Sequence, residues 1–171
     1  MFNKSINKLG ALVIILGATQ IAQANETPIN GVVQSRCIIQ TDMAGTYANP
    51  NAYTLTTAVE DGGDNAVIRY DVSLADAYYA EITAPESFSS SPNLPDIVYW
   101  DGDTQVKTVS DAAAMGAYET EKLELGMKDR YDLTATGSTW FETSSVATMG
   151  GSKAFPGGNY TALVQADCIA K

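Results

Sequence analysis

The chain has no histidine, only two cysteines, and 10 basic residues against 20 acidic ones. Each shortage closes a class of function. Without histidine, the commonest general base and the commonest metal ligand are missing. A serine hydrolase would then need a Ser–Lys dyad. Beyond the N-terminal stretch no serine precedes a lysine by three positions, and Lys107, Lys122, Lys128 and Lys153 all sit in polar surroundings. With so few cations there is no basic patch, so neither nucleic acid nor an anionic membrane surface is an expected partner. After residue 24 no apolar run approaches the roughly 20 residues that a membrane span needs. The expectation is a protein that is not integral to a membrane, carries no cofactor and is not an enzyme.

What is present begins with Lys4 and Lys8, an apolar run from Leu9 to Ile21, and Ala22-Gln23-Ala24. A basic start, a short apolar core and an A-x-A site predict a secretory signal peptide over residues 1–24. Residues 25–171 then form one domain of 147 residues. Lys4 and Lys8 are the only charges before position 25, so that domain holds 8 basic and 20 acidic residues. The expected location is outside the cytoplasm: periplasm, fimbrium or extracellular space. In an exported chain, Cys37 and Cys168 read as one disulfide, with two free buried thiols as the alternative.

Strand signals dominate the rest. Gly31–Gln40 and Tyr53–Thr57 are rich in β-branched residues, with a loop between them punctuated by Gly45, Asn49, Pro50 and Asn51. In Ala66–Val72, Ile68, Tyr70 and Val72 alternate with Val67, Arg69 and Asp71; Tyr78–Ala84 alternates likewise. Ser87–Pro95 reads as a surface loop. Asp101-Gly102-Asp103, between Asp96–Trp100 and Gln105–Val109, predicts a hairpin. Thr136-Gly137, between Arg130–Ala135 and Ser138–Thr143, predicts another. Asp111–Glu124 is the one helix candidate, capped by Ser110 or Asp111, with a single turn as the alternative. Ser144–Lys153 reads as a loop. From Phe155 to Cys168 a Pro156-Gly157-Gly158 turn leads into a long final strand, with Tyr160, Ala162, Val164, Ala166 and Cys168 on one face. About eight to ten short strands with at most one short helix predict an all-β, immunoglobulin-like antiparallel sandwich, with a closed barrel as the alternative.

Other candidate chemistry has a plainer explanation beside it. The many carboxylates suit a solvated surface better than a glycosidase pair. Asp61-Gly62-Gly63-Asp64 and Asp101-Gly102-Asp103 carry oxygen ligands that Ca²⁺ favours, yet both are turn sequences first. Tyr99, Trp100, Trp140 and Phe141 would make a sugar-binding platform if exposed and a core if buried. Asn25 and Asn159 head Asn-x-Thr tripeptides, acceptors only in a glycosylating host.

The two chain ends carry a resemblance. The leader, the Gly31-Val32-Val33 opening before Cys37, and the close from Phe155 through Gly158 and Tyr160 to Val164 resemble bacterial fimbrial subunits of the chaperone–usher type. The resemblance implies a structural or adhesive subunit of a surface fibre that assembles by β-strand addition. Its partners would be other fimbrial subunits or a periplasmic chaperone, meeting Gly158, Tyr160, Ala162 and Val164 on the final strand. Two features depart from the family pattern. The cysteines span first strand to last instead of linking N-terminal strands. The arm before Cys37 is short, with Ile29, Val32 and Val33 its only apolar residues other than glycine. A stand-alone exported binding module for glycan, metal or protein is the other function class.

Overall fold

Residues with branched or aromatic side chains at every second position build the centre of the molecule. Ile68, Tyr70 and Val72 point inward from one strand and Ala80 and Ile82 from another, and all five are buried. The computed structural model describes residues 34–171, apart from the side chain of Glu119. The expected leader and the arm over residues 25–33 lie outside the described residues.

The described strands run in the order β1 (Cys37–Met43), β2 (Ala48–Asn51), β3 (Thr54–Thr56), β4 (Ala66–Val72), β5 (Tyr78–Thr83), β6 (Phe88–Ser90), β7 (Val98–Asp101) and β8 (Thr104–Val109). After a 3-10 turn and the helix α1 (Met115–Thr120) come β9 (Leu123–Leu125), β10 (Lys128–Asp132), β11 (Gly137–Thr143), β12 (Val146–Met149), β13 (Thr161–Ala162) and β14 (Gln165–Ala170). The fold is an antiparallel β-sandwich. One sheet has the order β1-β4-β11-β8 and the other β14-β5-β10-β9. Beyond the sandwich lies an annex: a four-stranded sheet, β2-β3-β12-β7, and a two-stranded ribbon, β13-β6.

A tyrosine from each sheet stitches the sandwich. Tyr70 of β4 donates to the carbonyls of Glu81 (3.1 Å) and Asp167 (3.2 Å) in the opposite sheet. Tyr131 of β10 donates the other way, to the carbonyl of Thr104. Both rings are fully buried around Phe141. Burial keeps each phenol from water, and the cross-sheet carbonyl supplies the partner that a buried hydroxyl requires.

Consecutive strands are handed to different sheets, and this overturns both expected hairpins. Asp101-Gly102-Asp103 does not fold β7 back on β8: β7 pairs with β12 in the annex and β8 with β11 in the sandwich. Likewise β10 pairs with β5 and β9, whereas β11 pairs with β4 and β8. The Gly102 and Thr136-Gly137 turn signals mark a change of sheet. Three of the breaks meet at a waist. A Cβ on Gly102 would lie 2.7 Å from the Cβ of Ala84, between β5 and β6, and 2.8 Å from the carbonyl oxygen of Ser144, between β11 and β12. The glycine is there for close approach rather than for a hairpin.

Five smaller corrections follow from tertiary pairing. Ser144–Lys153 contains β12, and Ser87–Pro95 contains β6. The 41–52 loop gives its start to β1 and its end to β2. The helix candidate shrinks to the 3-10 turn Ala112–Ala114 and α1; Asp111 caps the turn by accepting from the Ala113 amide (3.1 Å), and Leu123–Leu125 is strand. The final strand is broken at Leu163–Val164, yet its alternation holds: Tyr160, Ala162, Val164, Ala166 and Cys168 are half-buried and the residues between them exposed.

Candidate functional site

Two regions are built in a way that the packing of the fold does not by itself require. The first is the flank formed by β1 and β14. Cys37 and Cys168 are joined in a disulfide, with Cα atoms 6.5 Å apart, tying the edge of one sheet to the edge of the other. Each of these strands is last in its sheet and carries an unpaired edge among the described residues. Their inward side chains, Cys37, Ile39, Val164, Ala166 and Cys168, pack on the core but stay half-buried. Ile38 and Ile169 are exposed beside them.

The opposite flank also ends in two outermost strands, β8 and β9, and is covered on the β8 side, while Leu123 and Leu125 of β9 are exposed. On β8, Thr104, Val106 and Val109 are buried. Tyr118 of α1 packs edge-on to Phe141 there and accepts from the Ala135 amide at 3.1 Å. Lys122, largely buried, pairs with Asp103 and Asp129. Burial pushes the Asp129 carboxyl above its usual range, against the pull of the Thr104 amide and of Lys122. This arrangement closes an end of the core and takes Asp103 out of the calcium-loop candidate. Among the described residues no group of three or more His, Cys, Asp or Glu converges as a metal site. No helix among them is long and apolar enough to cross a membrane.

An incoming strand needs about 4.8 Å to each neighbour, hence about 9.5 Å between β1 and β14 to lodge between them. The bridge holds its Cα atoms closer than that. Strand addition at this flank is therefore geometrically open along an outer edge or past the bridge, and closed at the bridge itself.

The second region is in the annex. Phe88 of β6 sits among Tyr47, Trp100, Phe155 and Tyr160, with ring centroids 4.6 to 6.3 Å away. A cleft of about 570 Å³ opens beside this cluster, lined by Tyr47, Leu55 and the turn from Phe155 to Ala162. Tyr47 shares a hydrogen bond with the Ser145 hydroxyl (2.7 Å), and Tyr160 donates to the Pro156 carbonyl (2.5 Å). Burial raises both phenols above their usual range.

The four residues expected to meet a partner strand are dispersed. Gly158 is exposed in the turn, where a Cβ would lie 2.5 Å from Cγ of Pro92. Tyr160 belongs to the aromatic cluster, Ala162 pairs with Phe88, and Val164 packs on the sandwich core. The proposed aromatic platform is dispersed too. Phe141 is core and Trp100 packs on Phe88. Trp140 lies under Arg69 and donates to Asp42 (2.8 Å), and Tyr99 is exposed. Tyr47, Phe88, Phe155 and Tyr160 were not legible as a group. Tyr47 and Phe88 are far in sequence from each other and from Phe155 and Tyr160, and only the tertiary fold brings the four together.

No protein-family model, no curated protein and no solved structure matches this chain.

Proposed function

We propose that this chain is an exported, non-enzymatic structural or adhesive subunit of a surface fibre, assembling by β-strand addition at the β1/β14 flank. The observation that carries this reading is the contrast between the two flanks. Unpaired edges of 7 and 6 residues stand over half-buried apolar side chains on one side, while on the other α1 packs on β8 and the outermost strand β9 is only 3 residues long. An unpaired edge offers backbone donors and acceptors to a partner strand, and apolar side chains behind it add burial. The resemblance at the chain ends points the same way and gives the partner as another subunit or a periplasmic chaperone. An immunoglobulin-like strand arrangement belongs to the same proposal. A second reading, a stand-alone exported binding module, is favoured by the annex cleft.

Sedimentation of the purified chain over a wide concentration range tests the proposal. Concentration-dependent oligomers are expected, and Ile38→Lys with Ile169→Lys should abolish them while leaving thermal stability nearly unchanged. A chain that stays monomeric at every concentration, and that captures no strand peptide made from its own residues 25–36, ends the reading.

A further inference from the structure

The cleft beside the aromatic cluster differs from three smaller clefts in one respect. None of the residues lining it is Asp, Glu, Lys or Arg, in a chain with a net charge of −10. The three smaller clefts all carry charge: Arg36, Arg69 and Asp71 in one, Glu86 in another, Glu121, Arg130 and Asp132 in the third. Its walls offer two other things. Tyr47 and Tyr160 are rings whose hydroxyls are already tied to Ser145 and Pro156, so the rings are held in place before anything binds. Opposite chemistry comes from the turn: Gly157, Gly158 and Asn159 have no hydrogen-bond partner among the described residues, leaving three backbone amides and a carboxamide at the cleft.

Fixed aromatic rings, neutral amide donors and acceptors, and no charge suit a ligand with apolar C–H faces and a rim of hydroxyls. A volume of about 570 Å³ is in the range of small-ligand pockets. We propose that this cleft binds a neutral saccharide, one sugar ring lying against Tyr47 and Tyr160 with its hydroxyls bonded to Asn159 and the Gly157–Gly158 backbone. An anionic or cationic ligand would find no counter-charge there to offset its desolvation. The inference does not depend on strand addition, since β1 and the Cys37–Cys168 bridge take no part in it.

The test is a titration of the full ¹⁵N-labelled chain with methyl α-mannoside, methyl β-glucoside, methyl β-galactoside and N-acetylglucosamine, each to about 50 mM, well above a millimolar Kd. At least one should shift the amides of residues 155–162, whereas N-acetylneuraminic acid, which is charged, should not. Gly157→Phe adds a ring to the cleft wall without strain, because a Cβ there meets nothing within 4 Å. It should abolish the shifts at unchanged melting temperature. Asn159→Ala should weaken binding about tenfold, the value of one hydrogen bond. If no saccharide shifts these amides, or if binding survives Gly157→Phe, the proposal is wrong. If the 25–36 peptide shifts them and the sugars do not, the cleft is a strand site and the proposal is equally overturned.

Discussion

The molecule contains two aromatic clusters of similar make-up and opposite fate. In the sandwich, Tyr70, Tyr118, Tyr131 and Phe141 are at most 1% exposed. In the annex, Tyr47, Phe88, Trp100, Phe155 and Tyr160 all remain half-buried. Ring geometry does not separate them, since both use edge-to-face or tilted pairs with centroids near 5 to 6 Å. The second layer does. The sandwich cluster lies between two four-stranded sheets, whereas the annex cluster has a four-stranded sheet on one side and only the ribbon β13-β6 on the other. A core needs two covering layers; with one and a half, the same residues leave a cleft.

The largest expected effect concerns what holds the sandwich alone. Replacing both Cys37 and Cys168 by Ser releases a loop of 131 residues, about 5 kcal/mol in the chain-entropy view. Denaturant unfolding of oxidised and double-Ser proteins measures it, and an unchanged melting temperature in reductant would show that the bridge adds nothing. Next, Phe141→Ala should cost about 3–5 kcal/mol. Phe88→Ala, at the centre of the half-covered cluster, should cost about half of that by area. Equal losses would break the distinction between the clusters. Gly102→Ala probes the waist. The added methyl meets Ala84 and Ser144, and overpacking of this kind costs about 1–3 kcal/mol. A neutral result would mean that sandwich and annex are not locked at this point.

The smallest effect is electrostatic. Glu81 stands on the outer face of β5 yet is only 7% exposed, covered by Lys128 (2.9 Å) and Arg130. Hydrogen bonds from these two cations hold its carboxyl below the usual range. A carboxyl depressed in the folded state contributes stability above its unfolded pKa and loses it as pH falls through the folded value. Because both cations are more than a third exposed, the contribution is discounted to about 1 kcal/mol. Glu81→Gln should therefore lower stability slightly at pH 7 and flatten its decline between about pH 5 and pH 3. An unchanged acid limb would assign that decline to other carboxylates.

Much of the fold was legible because β-sheets write themselves at period two. Ile68, Tyr70 and Val72, Ala80 and Ile82, and the run from Tyr160 to Cys168 were placed on the correct faces by alternation alone. Partnership was not. Gly102 and Gly137 look like hairpin turns locally, and nothing local distinguishes a turn that reverses a strand from one that hands it to another sheet. The helix over 111–124 failed at Leu123–Leu125 for the same reason: pairing with β10 overrode a weak helical pattern.

The sequence by itself determined the strand-rich composition, the inward faces, and the identity of the residues available for a bridge. These follow from side-chain chemistry and spacing, which are local. Tertiary structure bore out the Cys37–Cys168 bridge that the sequence already suggested, and it alone decided that α1 packs on β8 while β1 and β14 stay open, and that Tyr47, Phe155 and Tyr160 line one uncharged cleft. Those depend on which strand lies beside which, and pairing is settled by long-range burial across the whole chain.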